Sequence, residues 1–354
     1  MKFDIKDELA TWLLGQSKRL TQQQSPDGYW EGGCNGPYKD HETPLRNTAH
    51  IIILFSSMGN YHNDQELLNA ANKAVDYLLK KINLSEKQGI VFRQKIGKDV
   101  TNGVIGPAWI IEALMTAARH LNRTDASTMA EKIFLCHKFS QKYSCWYKMD
   151  TSEQLISKLD QTFNHQLWFA SVASTLNLAE TKNQVRKFID NNLLKVSTYN
   201  DNVIYHGASL LGDAQIYKLI FNQRDLRLEI KRKLRKKSLR SKSVGYHSFN
   251  LYAISRLYQE LSKPEEIRLL LNELLKPLQE KSFYRELAES KYSWDYNHPN
   301  IEYFFVYDTL NLLENYPDAL RLNFIQSLEE YISKSCDVKT ACARLYSISR
   351  IYLS

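Results

Sequence analysis

The stretch PLRNTAHIIILFSSMGNYHNDQELLNAANKAVDYLLKKI (residues 44–82) holds two helical segments of opposite character. Residues 44–58 are apolar or small nearly all round, the pattern of a helix buried on every side. Residues 63–82 keep their apolar side chains on one stripe at helical spacing and are polar elsewhere, so this helix has one face in water. Pro44 opens the first segment, where a missing N–H leaves no hydrogen bond unmade.

The same alternation continues along the chain. Amphipathic segments are predicted at 3–22, 63–82, 125–142, 180–195, 265–280 and 318–334. Segments apolar nearly all round are predicted at 44–58, 107–121, 160–176, 247–261, 299–313 and 340–353. Six hairpins of one exposed and one buried helix suit a closed ring. The expected fold is therefore all-α, an (α/α)6 toroid forming one domain over 1–354, with an insertion at 196–245 that includes a strand-like piece at 202–206. In such a ring the loops leading into the buried helices converge on one mouth.

With 354 residues, 43% of them hydrophobic and 24% charged, the chain can bury a large core, which excludes a disordered or disulfide-stapled protein. Five cysteines without a C-x-x-C pair indicate neither a disulfide framework nor a thiolate metal site. No apolar run is long enough for a membrane span, and Asp4, Asp7 and Glu8 interrupt what a secretory signal would need. A cytoplasmic location is expected. The net charge of +8 is matched by the eight basic residues of KRKLRKKSLRSK, from Lys231 to Lys242, so the excess is local. That run points to an anionic membrane surface or polyanion, with a peripheral membrane contact, and no specific nucleic acid is expected.

The loops SPDGYWEGGCNGPYKDHET (25–43), YSCWYKMD (143–150) and KYSWDYNHPN (291–300) place Tyr29, Trp30, Trp146 and Trp294 ahead of buried helices. Aromatic faces with amides and carboxylates nearby suit sugar rings, whose C–H faces stack while their hydroxyls need fixed partners. Ionisable and amide groups also sit in the first turns of the apolar helices: Arg46 and His50, then Asp160, Asn164 and His165, then His298 and Glu302. Buried charge is costly unless paired or used, and Glu42 is the natural partner of Arg46. Asp160 and His165 are the expected catalytic residues. Tyr29, Trp30, Glu42, Arg46, His50, Trp146, Asn164, Trp294, His298 and Glu302 are the expected substrate contacts. No G-x-G-x-x-G, P-loop or H-E-x-x-H occurs, so neither a cofactor nor a metal is expected.

The segment LDQTFNHQLWFA (159–170) resembles unsaturated glucuronyl and rhamnogalacturonyl hydrolases, in which an aspartate ahead of an inner helix is the general acid/base. The resemblance implies that role for Asp160, although Asn164 and His165 replace the apolar residues of that family. GPYKDHETPLRNTAH (36–50) and FNHQLWFA (163–170) are similar to proteins of surface-glycan and archaeal protein-glycosylation gene clusters, which implies the same toroid and sugar chemistry. The expected function is thus acid/base chemistry on an acidic sugar or glycan, glycoside hydrolase-like or a uronate epimerase or isomerase. The alternative is a non-catalytic binder of a glycan or lipid-linked glycan. Terpenoid cyclisation ranks lower, because QSPDGYW (24–30) matches the cyclase repeat once and no D-x-D-D accompanies it.

Overall fold

The computed structural model describes residues 5–84, 89–93, 95–149, 159–206 and 239–353. Helices α1 (Ile5–Thr21), α2 (Leu45–Tyr61), α3 (Gln65–Lys81), α4 (Ile105–His120), α5 (Thr124–Leu135), α6 (Phe163–Ala173) and α7 (Ala179–Phe188) form the first half. The second half has α8 (Arg240–Gly245), α9 (His247–Glu260), α10 (Glu265–Leu274), α11 (Lys281–Glu289), α12 (Pro299–Thr309), α13 (Asp318–Arg321), α14 (Phe324–Lys334), α15 (Val338–Arg344) and α16 (Tyr346–Ser349). Helix α2 packs on α4, α4 on α6, α6 on α9, α9 on α12, α12 on α16, and α15 and α16 return to α2. The inner ring is closed. Helices α1, α3, α5, α7, α10 and α14 pack outside it, each against an inner neighbour. The molecule is an (α/α)6 toroid.

Two of the predicted outer helices end early. The outer helix expected at 265–280 stops at Leu274, because Pro277 lacks an N–H and is accommodated in the 3-10 turn Lys276–Gln279 before α11. The helix expected at 125–142 ends at Leu135, and the chain then forms a small hairpin, β1 (Phe139–Ser140) against β2 (Cys145–Trp146). The strand-like piece at 202–206 does pair, through a bridge between Thr198 and Ile204. Residues 207–238, and with them Lys231 and most of the basic run, lie outside the described residues. Among the described residues no helix is long and apolar enough to cross a membrane.

The all-round burial of the inner helices carries polar groups inside. His137, His247 and His298 are all buried. His247 Nδ1 accepts from the Ile204 N–H at 3.2 Å and Nε2 donates to the Leu274 carbonyl at 2.8 Å, a pairing that only the neutral ring satisfies. Burial pushes the imidazoles of His137 and His247 down to about 4 and that of His298 to about 3. Between these values and the ordinary 6.5 the unfolded chain binds protons that the folded chain refuses. Stability is therefore complete above pH 6.5 and falls as the pH drops toward 4, by up to about 1.4 kcal/mol per pH unit for each histidine. Urea midpoints at pH 7, 6 and 5 test this, and equal midpoints at pH 7 and 5 would contradict it.

Candidate functional site

At the N-terminal ends of the inner helices a cavity of about 340 Å³ opens. The ring delivers to it Arg46 from α2, Ile105 and Trp109 from α4, Asn164 and His165 from α6, Phe249 from α9 and Arg344 from α15. The loops add Asn35, Tyr38, Asp40, Arg93, Lys98, His206, Tyr296 and Asn297.

On one wall Asp160 and His165 form a hydrogen-bonded pair. His165 Nδ1 lies 2.8 Å from Asp160 Oδ2, which also accepts from the Val104 N–H at 3.0 Å, while Oδ1 accepts from the Thr162 N–H at 3.1 Å. Asp160 is 2% exposed and does not line the cavity, whereas His165 does. Burial alone would raise the Asp160 carboxyl, but His165 and the backbone donors outweigh it and hold the group far below the usual carboxylate range. The carboxylate accepts three hydrogen bonds and is not among the groups lining the cavity. Asp160 stands behind His165 and does not meet the cavity itself, so a ligand there reaches the pair through the imidazole. An ionised Asp160 accepts from His165 Nδ1–H, and Nε2 is the ring nitrogen not engaged by it.

Gly103 supports the pair from behind at φ +69°, and a Cβ there would stand 2.0 Å from Asp160 Oδ2 and 2.7 Å from His165 Nδ1. The loop 97–106, unremarkable as sequence, thus sets the spacing of the two side chains. Gly103→Ala forces them apart and, where this pair carries a reaction, is expected to lower turnover by about 10²-fold, the effect of misplacing a reacting group by an ångström. Activity within threefold of wild type, with a native circular dichroism spectrum, would refute this.

Most of the carboxylates near the cavity are committed to cations. Arg46 Nη1 donates to Glu42 Oε2 at 3.1 Å and to Asn35 Oδ1 at 3.3 Å, and its guanidinium lies 4.4 Å over Trp109. Arg344 donates to Glu302, which also accepts from Ser248 Oγ at 3.3 Å. Asp40 is bound by both Lys95 and Lys98. Burial works against the charge on Asp40, but these two ammonium groups prevail and lower its carboxyl. His206, which also lines the cavity, is pushed down to about 3 by burial and then by the nearby Lys242.

Lys242 also lines the cavity, so the C-terminal end of the basic run reaches the mouth and the run is not wholly apart from the site. Its Nζ stands 5.2, 5.6 and 5.7 Å from the ring centres of Tyr38, Tyr246 and Tyr292. Such contacts stabilise a cation by about 0.5–2 kcal/mol, less than the several kcal/mol that desolvating an unpaired charge costs. Two residues earlier, Arg240 is occupied with Asp201 and Glu286.

Of the expected site residues, Arg46, Asn164 and His165 line the cavity, with Asp160 directly behind. Glu42 and Glu302 hold Arg46 and Arg344. His50 does not line it; its ring stacks on Tyr346 at 4.3 Å, and burial followed by Arg46 keeps it neutral. His298 is buried between Trp294 and Tyr331. The expected aromatic contacts are not in the mouth. Tyr29 packs on Tyr77. Trp30 sits edge-on to Phe55 and donates Nε1 to the Leu20 carbonyl at 2.8 Å. Trp146 is enclosed by Phe134, Phe139, Phe169 and Phe188 and donates Nε1 to Gln184. Trp294 is half-buried against His298. The indoles of Trp30 and Trp146 gain more from burial between helix layers than an exposed mouth offers. The aromatic lining comes instead from Tyr38, Trp109, Tyr246, Phe249 and Tyr296. Trp109 and Phe249 lie within the first five residues of α4 and α9, close to where the polar residues were singled out.

No family model matches the chain. Over 202 residues it is 36% identical to Archaeal glycosylation protein Q of Haloferax volcanii, a match taking in 56% of this chain and 54% of that protein, so the match spans about half the length of that relative. Among solved structures, D-mannose isomerase superimposes with a TM-score of 0.63 at 14% identity, covering 100% of this chain and 99% of that one. Cellobiose 2-epimerase from Bacillus thermoamylovorans gives 0.62 at 11% identity, with 98% and 100% covered. An inactive variant of the α-1,6-mannanase GH76A of Salegentibacter sp. gives 0.53 at 11% identity, with 98% of each chain covered. At these identities the likeness is one of fold, the (α/α)6 toroid.

Proposed function

We propose that this chain is an enzyme of glycan assembly that isomerises or epimerises an acidic sugar by proton transfer through His165. The observation that carries this reading is the Asp160–His165 pair, with the imidazole on the cavity and the carboxylate behind it. Asp160 keeps the Nδ1 proton in place, so Nε2 is the base that takes a proton from a carbon next to the sugar carbonyl. The imidazolium so formed is stabilised by the buried carboxylate and returns the proton to the former carbonyl carbon in an isomerisation, or to the opposite face of the same carbon, once the enediol has turned, in an epimerisation. Trp109 and Phe249 provide apolar faces for the ring, and the cations at the mouth favour an acid.

Hydrolysis of a glycosidic bond ordinarily needs two carboxyl groups flanking the bond. Among the described residues, the one carboxylate lining the cavity is Asp40, which two lysines bind, and Glu42 and Glu302 are tied to arginines. This favours isomerisation or epimerisation over hydrolysis. The names of the mannose isomerase and the cellobiose epimerase place such reactions on the same fold, and the similarity to a glycosylation protein supports a glycan setting. A cytoplasmic location, with the run beginning at Lys231 docking on an anionic membrane surface or polyanion, belongs to the same proposal.

The test is incubation with D-glucuronate and related hexuronates in D2O, followed by proton NMR. Loss of a ring C–H signal at the isomerised carbon, dependent on His165, is the expected result. Release of a new reducing end from an oligosaccharide without deuterium exchange would establish hydrolysis and overturn the proposal.

A further inference from the structure

The cations around the cavity are not equivalent. Arg46 and Arg344 have Glu42 and Glu302 as buried counter-ions, and Lys98 shares Asp40 with Lys95. Arg93 spends its Nε on the Asp99 carbonyl at 2.8 Å. Lys242 has no carboxylate partner among the described residues, and what surrounds its ammonium is three tyrosine rings. Those rings are themselves fixed: Tyr38 and Tyr246 share a hydrogen bond between hydroxyls at 3.1 Å, and Tyr292 lies 5.9 and 6.0 Å from them. The ammonium is thus held at the edge of the cavity by a preformed aromatic frame that supplies no anion.

Resting on the reading of an acidic-sugar enzyme, we propose that Lys242 is the residue that recognises the substrate's negative charge, pairing with an oxyanion, the carboxylate of a uronic acid, whereas Arg46 and Arg344 do not. A guanidinium already neutralised by a buried glutamate gains little from a second carboxylate, which would also face the first across a short distance. The tyrosine-framed ammonium, unpaired with a carboxylate among the described residues, gains a counter-ion. Burial lowers the affinity of Lys242 for its proton, and an oxyanion alongside would restore it. The arrangement therefore discriminates a uronate from the neutral hexose of the same shape.

The first test needs no turnover. The wild-type protein is acetylated at pH 8 with an N-hydroxysuccinimide ester, alone and with D-glucuronate, D-glucose 1-phosphate or D-glucose, and modification of Lys242 is followed by peptide mass spectrometry. Slower labelling with glucuronate and unchanged labelling with glucose is expected. Protection by the phosphate alone would move the recognised oxyanion from carboxylate to phosphate and overturn the uronate assignment. Equal effects of glucuronate and glucose, or no effect of any of the three, would overturn the anchor itself. The second test compares Lys242→Met and Lys242→Arg. The first raises KM for an acidic substrate by roughly 10- to 100-fold, the worth of a charge-assisted hydrogen bond. It leaves kcat within a few-fold, and Arg restores part of the loss. A fall in kcat without a change in KM would contradict a binding role. Failure of the isomerase reading shows differently, as retained turnover in a His165 variant, and leaves the labelling result standing.

Discussion

Replacing His165 by glutamine is expected to remove the proton-transferring group proposed for this site and to lower turnover by about 10²- to 10⁴-fold, the usual worth of a positioned acid/base. Glutamine keeps a donor within reach of Asp160 Oδ2, which also accepts from the Val104 N–H, so the fold around α6 persists. Asp160→Asn is expected to lose less, because its amide oxygen can still receive the Thr162 N–H or the imidazole N–H but no longer stabilises the imidazolium. The ordering matters more than either value. With Asp160 as the acid, its variant would be the poorer catalyst; with His165 in that role, the histidine variant is. Measuring deuterium exchange and thermal unfolding on the two variants side by side decides between them, and a His165→Gln protein with near-native exchange would end the assignment.

Glu112→Gln is expected to lower stability by about 3–5 kcal/mol, the cost of leaving a buried cation without its partner. Glu112 Oε1 receives Arg256 Nη1 at 2.6 Å and Arg350 Nε at 3.1 Å, and Oε2 receives Trp168 Nε1 at 3.1 Å. These bonds join α4, α6, α9 and the C-terminal turn, so one buried side chain ties together four parts of the inner ring. An amide is nearly the same size and accepts through one oxygen only, leaving two guanidinium groups to share it. Urea unfolding monitored by circular dichroism reads the effect, and a loss below about 1 kcal/mol would show that the network contributes little beyond packing. Because none of its members lines the mouth cavity, the folded fraction should retain its turnover.

The architecture could be read without coordinates because it depends on a periodic signal. Helices apolar all round, such as residues 44–58, have nowhere to go except between two layers, and six of them alternating with one-sided helices imply a ring. Their first turns were also legible as the place where polar side chains gather, since Arg46, Asn164 and His165 line one cavity. Which aromatic residues face the cavity was not legible. Trp30 and Trp146 are as suitable for a sugar platform by composition as Trp109, but their indoles are drawn between helix layers where more apolar surface is removed from water.

The spatial order of Asp160 and His165 was equally hidden, because ionisable residues close together in a sequence carry no information about which is behind the other. Their order follows from Val104, Gly103 and Thr162, contributed by a different loop and by the turn before α6. The same holds for the cations. Local spacing could pair Arg46 with Glu42, four residues apart, but the partners of Arg344, Asp40 and Glu112 come from distant segments. Periodicity and first-turn chemistry are local properties of the chain and dictate the toroid and its mouth. Burial and charge pairing are set by neighbours across the ring, and only the closed tertiary structure decides which side chains remain available to a ligand.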